Sequence, residues 1–360
     1  MNDVNEGNDH HHGEYLLMLD LPQKVHGLAL AGLKVPPINH EIYARIRERM
    51  VSLFTEALKP YPSVQVKLRV IDMQELADSI LAKAYNLQRE FDEALIVSTC
   101  PEIASTSHGM SLEVNRISDI SGEIIGIGPR PGHVSLIEQV KGIVACAAGR
   151  PIVLVEDGSF TGTTISHVCN MFRRIGSQVD AVVLGFVFPK AMECIGKLLL
   201  PPKVYTVQEF ENPVDWMPDH DFFPFVPNCG RLIGSKFHGE AYPMYCNYGF
   251  PFAVPYLYGY CDMGDWTGLP IDKKQQKELT WYLLDLAISL FQEIEAMNDH
   301  VHFGLKGLKC SRPKVALPTK VLDGEGRHPN GKKLDAKQNP LPELGEESVL
   351  SQLINIRERL

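Results

Sequence analysis

Glu156 and Asp157 stand side by side at the end of the apolar run Ile152–Val155, and Gly158-Ser159-Phe160-Thr161-Gly162-Thr163-Thr164 follows at once. Adjacent carboxylates accept hydrogen bonds from hydroxyls or ligate a hard divalent cation. A turn rich in glycine and hydroxyls that opens a helix presents backbone N–H groups to an anion. Thr161, Thr163 and Thr164 add hydroxyl donors, and Gly162 lets the backbone approach a ligand with no Cβ in the way. Carboxylates repel a phosphate, so the two halves must serve different parts of one ligand. A ribose 5-phosphate fits, with its 2- and 3-hydroxyls on the acids and its 5-phosphate in the turn. The stretch is no P-loop, because no Gly-Lys-Ser/Thr follows.

Four apolar residues, two acids and a short loop ending in Thr-Gly-x-Thr resemble the phosphoribosyl pyrophosphate (PRPP) signature of the type I phosphoribosyltransferases. The resemblance is tight over Ile152–Thr164 and extends loosely, as strand–helix order, over residues 73–210. It implies that Glu156 and Asp157 hold the ribose hydroxyls, directly or through Mg2+. It also implies that Phe160, Thr161, Gly162, Thr163 and Thr164 bind the 5-phosphate. Two positions depart from the pattern: Gly158 stands where an apolar residue is usual, and Phe160 where a small one is usual.

The same resemblance assigns pyrophosphate to the turn after an earlier strand, here Ser98 and Thr99 in the run Ser98–Glu102. Arg130, on the loop after the next apolar run, is placed to neutralise departing pyrophosphate, with Lys141 and Lys190 as further cations. Trp216 or Phe222 is placed to stack on a flat acceptor, with Asp215, Asp219 and Arg231 as polar contacts. The expected enzyme is a glycosyltransferase that passes 5-phosphoribosyl from PRPP to a nucleobase-like acceptor. One alternative is a PRPP- or nucleotide-sensing regulator on the same fold. Another is an NAD(P)-binding oxidoreductase, suggested by Gly126, Gly128 and Gly132. Cys100 has no identifiable histidine partner, so it reads as a structural thiol.

A turn of this kind needs a strand to deliver it and a helix to receive it. Unbroken apolar runs at 93–99, 122–128, 151–157, 180–189 and 202–210 alternate with helical patterns. Such runs predict an α/β fold with a parallel sheet and helices on both faces, whose ligands bind at the carboxyl ends of the strands. Upstream, 40–58 has helical spacing and 64–73 alternates as a half-buried strand. Residues 211–266 are dense in aromatics, Pro and Gly and predict an irregular, aromatic-rich C-terminal subdomain over the ligand edge. The expected organisation is a disordered leader (1–13) and an α/β core with N-terminal elements (14–210). The subdomain with a long helix (211–300), a linker or arm (301–345) and a terminal helix (346–360) complete it.

With 360 residues and 44% hydrophobic content, the chain can bury one large core or two medium ones. A net charge of −9 argues against nucleic acid as a partner. No apolar run approaches the length of a membrane span, so no membrane partner is expected. Eight cysteines without a CxxC pair predict reduced thiols in a cytoplasm. The acidic opening residues lack the pattern of a signal peptide. The family resemblance suggests a homodimer.

Overall fold

The structure, a computed structural model, describes residues 12–29, 32–60, 65–104, 109–119, 121–227, 229–237, 240–244, 251, 253–304 and 348–360. The expected leader, apart from residues 12 and 13, and the expected arm, apart from 301–304, lie outside the described residues.

The chain opens with β1 (His12–Leu19), α1 (Leu21–His26), α2 (Glu41–Leu58), β2 (Gln65–Asp72) and α3 (Met73–Glu90). Next come β3 (Leu95–Ser98), α4 (Pro101–Ala104), β4 (Met110–Ser111), β5 (Val114–Ser118) and β6 (Ile124–Pro129). The central stretch holds α5 (Leu136–Ala147), β7 (Ile152–Ser159), α6 (Thr163–Arg174), β8 (Ala181–Val187), α7 (Pro189–Gly196) and β9 (Lys203–Thr206). Then follow β10 (Pro213–Pro218), a 3-10 turn (Asp219–Phe222), β11 (Arg231–Phe237), β12 (Glu240–Pro243) and β13 (Ala253–Val254). The last elements are α8 (Met263–Thr267), α9 (Lys273–Met297) and α10 (Val349–Glu358).

Five strands make a parallel sheet in the order β4-β3-β7-β8-β9. Along β7, Ile152 and Leu154 face a core shared with α5 and α6, while Val153 and Val155 face a second core shared with α3. β8 divides in the same way, Val182 and Leu184 against Ala181 and Val183. Burial on both faces is the reason these strands read as unbroken apolar runs rather than alternating ones. The sheet covered on both faces is therefore present, as its sequence pattern predicts.

Two features differ from the sequence expectation. The 122–128 run becomes β6, but in a second sheet of order β12-β11-β5-β6, where it pairs antiparallel with β5. The cause is a tight turn between them: the Asp119 carboxylate accepts N–H bonds from Ser121 and Glu123, and the Asp119 N–H donates to Glu123 O. So short a connection joins only antiparallel strands. An apolar run by itself carries no sign of strand direction.

The second difference concerns the aromatic segment, which shares its core with the N-terminal elements. β10 pairs in parallel with β1, and β1 with β2. The rings of Tyr15, Phe54 and Phe222 follow one another at 6.1 and 5.3 Å. Phe223, Phe225, Tyr256 and Trp266 belong to the same core, closed by α9 and by Leu353 and Ile356 of α10. β1 is buried on both faces, Leu16 and Met18 against α3 and Tyr15 and Leu17 against this core. It therefore needs cover from both halves of the chain. The six cysteines among the described residues for which pairing is defined are free thiols. No described helix is long and apolar enough to cross a membrane.

Candidate functional site

β7 runs past its apolar stretch through Gly158 and Ser159, which pair with Phe186 and Val187 of β8. α6 then starts after Gly162, whose φ of +74° suits glycine. In α2, α3, α5, α9 and α10 a side chain at the N-cap accepts a first-turn N–H. α6 has no such cap, so, apart from the Thr163 N–H that reaches Thr161 Oγ1 at 3.4 Å, its first-turn amides and the positive end of its dipole are left for an anion. The Thr161 and Thr163 hydroxyls lie 2.8 Å apart beside these amides. Phe160 through Thr164 all line one cleft of about 230 Å³.

The two unusual residues of the motif have a packing explanation. A Cβ on Gly158 would lie 2.4 Å from Phe186 Cζ, so the ring of the neighbouring strand fills the space a side chain would take. Phe160 turns its ring edge-on to Phe188, with 4.6 Å between centroids, and joins the core beneath the loop.

Glu156 and Asp157 line the same cleft. Burial, reinforced by the adjacent Asp157 charge, pushes the Glu156 carboxyl well above the usual carboxylate range despite Arg130 and Arg116. Burial raises Asp157 too, with Lys24 opposing. Asp157 Oδ1 accepts the Gly158 N–H at 2.7 Å, and the Thr99 hydroxyl donates to Glu156 Oε2. Half-buried neighbouring carboxylates of this kind are relieved by a cation or by hydroxyl donors.

Cations surround them. Arg130 lines the cleft, donates from Nη2 to Thr99 O at 3.2 Å, and has Nε 3.5 Å from Glu113. Arg116 reaches the cleft from β5 and Lys24 from α1. Arg231 is held by Gly122 O at 2.6 Å, with its guanidinium 4.4 Å from the Trp266 ring centroid. Trp216 lines the cleft with its ring edge-on to Phe186 at 5.0 Å.

Other sequence candidates lie elsewhere. Ser98 and Thr99 are buried behind the cleft rather than among its lining residues. The Ser98 hydroxyl donates to Cys100 O at 2.7 Å and accepts the Cys100 N–H, and the Thr99 hydroxyl is turned to Val155 O and Glu156. Cys100 is buried, which pushes its thiol pKa up and leaves it unreactive. Phe222 is core, and Asp219 accepts the Asp20 and Leu21 N–H groups. Asp215, Lys141 and Lys190 are not among the residues lining the cleft. Gly126 and Gly128 lie within antiparallel β6, where Cβ atoms would strike Ala241, and no helix follows them directly. That removes the strand–turn–helix setting a dinucleotide fingerprint requires.

Sequence reasoning missed Lys24, Arg116, His220, Asp221 and Tyr256 as cleft residues. They sit in four separate segments, none with a local motif, and only the pairing of β1 with β10 and of β5 with β11 gathers them.

No known protein-family profile matches the chain, and comparison with curated proteins finds no match. Among solved structures it is similar to adenine phosphoribosyltransferase from Saccharomyces cerevisiae, complexed with an imino-altritol bisphosphate and adenine. That similarity has 16% identity and a TM-score of 0.26, and covers 38% of this chain and 78% of that one. A second adenine phosphoribosyltransferase is 14% identical with a TM-score of 0.25, over 38% of this chain and 79% of that one. Similarities this slight leave the reading of the site to its own geometry.

Proposed function

We propose that the chain is an α/β protein of the phosphoribosyltransferase class, with a cleft built to grip a ribose 5-phosphate. The particular reaction is transfer of 5-phosphoribosyl from PRPP to a nucleobase-like acceptor, with release of pyrophosphate. One observation carries this reading: two adjacent carboxylates and a helix N-terminus with no N-cap side chain, joined by five residues, line the same cleft. The acids accept from the 2- and 3-hydroxyls, and the Phe160–Thr164 amides and hydroxyls take the phosphate. Arg130, with Lys24 and Arg116, supplies positive charge where pyrophosphate gathers negative charge as it leaves. Trp216 offers a ring to a flat acceptor. The reaction needs positioning and charge neutralisation rather than a covalent nucleophile.

Hard carboxylate oxygens suit Mg2+. Among the described residues no group of three or more His, Cys, Asp or Glu side chains is arranged to hold a metal. Glu156 and Asp157 would hold the ion together with substrate oxygens and water, and it would offset charge on the pyrophosphate. Free thiols and this small-molecule chemistry suit a cytoplasmic enzyme.

A second reading, a regulator that binds PRPP or a nucleotide without turnover, draws on the segment after β3. Thr99 and Cys100 are buried, and Glu102 is held by Lys24 at 2.7 Å, a carboxylate where a transferase needs to welcome pyrophosphate. Calorimetry with PRPP, followed by a screen of purines, pyrimidines and other acceptors for PRPP-dependent pyrophosphate release, separates the two. Binding with turnover supports the transferase, and binding without turnover supports the regulator. Absence of PRPP binding overturns both.

A further inference from the structure

With Glu156 and Asp157 assigned to the ribose, the cleft has one further carboxylate among the described residues, Asp221. It belongs to the Asp219–Phe222 turn, directly after the cleft-lining stretch Trp216–Pro218. Asp221 Oδ1 accepts the Gly230 N–H at 2.6 Å and faces His220 Nε2 at 3.2 Å. His220 Nδ1 faces Asp20 Oδ1 at 2.7 Å. Asp20 is 1% exposed, sits 3.7 Å from Lys24 Nζ, and donates its own N–H to Asp219. A line of polar groups thus runs from the buried end of β1 to the cleft wall. Both contacts to the Asp221 carboxylate fall on Oδ1 and fix its orientation, and neither uses Oδ2.

Transfer to an acceptor nitrogen whose ring carries an N–H requires a proton to go somewhere. The C1–O bond to pyrophosphate breaks with its electron pair on the leaving oxygen. The lone pair of the acceptor nitrogen forms the C1–N bond, and the N–H proton departs. A group that takes it must line the cleft, be held in one orientation and carry a free acceptor oxygen. We propose that Asp221 is the general base that receives this proton on Oδ2, with His220 and Asp20 as the residues that position it. The proposal rests on the transferase reading above.

The surroundings suit the role. Burial moves Asp221 upward from the ordinary carboxylate value, against His220 and Lys24, toward the range where a base is most effective. Asp20 adds a like charge from behind. On the other side stand Tyr256, whose hydroxyl is raised in part by the Asp221 charge, and Arg231, which donates to that hydroxyl at 3.3 Å.

The test uses the full chain with PRPP and adenine, hypoxanthine, guanine, uracil or orotate, reading pyrophosphate release across pH and PRPP affinity by calorimetry. Asp221→Asn keeps an oxygen for the Gly230 N–H. It is expected to lower kcat about 100-fold or more and to abolish the acid limb of the pH profile. PRPP affinity is expected to stay within about twofold of wild type. Added formate is expected to restore part of the rate of Asp221→Ala but none of the rate of Glu156→Gln. Asp20→Asn is expected to lower kcat and displace the acid limb, which a merely structural residue would not do.

An Asp221→Asn variant with wild-type kcat and an intact acid limb overturns the proposal. So does loss of PRPP affinity in that variant, which assigns Asp221 to the sugar and leaves the transferase reading standing. A wild-type protein that binds PRPP yet releases no pyrophosphate with any of the five acceptors overturns the transferase reading, and the role of Asp221 falls with it.

Discussion

Lys24 Nζ lies 2.7 Å from Glu102 Oε1, and this buried pair ties α1 to α4, the helix that follows β3. Their neighbours belong to different cores, Leu21 and Val25 to the one organised around α2 and α9, Cys100 and Ile103 to one built on the parallel sheet. Burial works against both charges. Glu102 and Asp20 nevertheless hold the Lys24 ammonium above its usual pKa, and Lys24 with Arg130 holds Glu102 well below the carboxylate range.

Removing one member of such a pair leaves a buried charge without its partner. Lys24→Met is expected to destabilise the chain by about 3–5 kcal/mol in urea unfolding, and Lys24→Met with Glu102→Gln to recover most of the loss. The sign with pH follows from the directions. A depressed carboxyl stabilises above its unfolded value and loses this as pH falls, whereas a raised amine stabilises below its unfolded value and loses this as pH rises. The contribution of the pair is therefore complete at neutral pH and fades below the ordinary carboxylate range. A Lys24→Met variant within about 1 kcal/mol of wild type would show that the pair ties nothing.

Glu156 and Asp157 behave oppositely. Each binds its proton more tightly folded than unfolded, so each favours folding at low pH and opposes it once pH exceeds the unfolded value. The double variant Glu156→Gln, Asp157→Asn is expected to melt higher than wild type at pH 7 and to match it near pH 3. It is also expected to lose PRPP binding by calorimetry. Unchanged PRPP affinity would remove these residues from the site, and a lower melting point would contradict the electrostatic account. Residues whose removal stabilises the protein while abolishing its ligand are what a functional site is expected to contain.

The motif at 152–164 was legible because one strand, one turn and one helix are consecutive in sequence, so spacing alone places acids and amides at one edge. The parallel sheet was legible because burial on both faces leaves a local mark, the unbroken apolar run. Lys24, Arg116 and Asp221 were not legible. Each reaches the cleft through a pairing between distant strands, and a single charged residue in a short helix, a strand or a 3-10 turn looks the same in sequence whether it faces solvent or a ligand. The 122–128 run has the pattern of a parallel strand, because direction is set by the turn at Asp119, whose side-chain bonds are not visible as a period. Trp266 and Tyr256 fall, by sequence, in what looks like a separate subdomain, because the sequence holds no sign that β10 returns to β1.

Asp215 supplies a control outside the cleft. Its Oδ1 accepts the Trp216 N–H at 2.8 Å, and burial lifts its pKa to about 6, with Arg231 and Arg116 opposing. A raised carboxyl favours folding below its unfolded value and opposes it above the folded value, so the effect develops between about pH 4 and 6. Asp215→Asn is expected to stabilise the protein at pH 7–8 by up to about 3 kcal/mol, to be neutral near pH 3, and to leave PRPP affinity unchanged. Urea unfolding at the two pH values checks the first part. A stability gain of equal size at both would refute the titration account.

Gly158 and Gly162 separate packing from ligand binding. A methyl group at Gly158 would meet the Phe186 ring at 2.4 Å, and rings in a sheet core yield little, so Gly158→Ala is expected to cost about 1–3 kcal/mol. Phe186→Leu opens that space, and the double variant is expected to cost less than the sum of the two single variants. At Gly162 the strain is in the backbone: φ is +74°, and a Cβ would lie 2.8 Å from Ala191 O. Left-handed backbone costs a non-glycine residue about 1–2 kcal/mol, which the turn can escape by shifting the amides that open α6. Gly162→Ala is therefore expected to weaken ribose 5-phosphate binding more than tenfold by calorimetry, beyond its effect on unfolding, about 1.4 kcal/mol of binding energy. Gly158→Ala, whose methyl group points at Phe186 rather than at the amides, is expected to weaken that binding far less. Equal losses of affinity in the two variants would mean that the turn is tuned for packing, and that the anion is held elsewhere in the cleft.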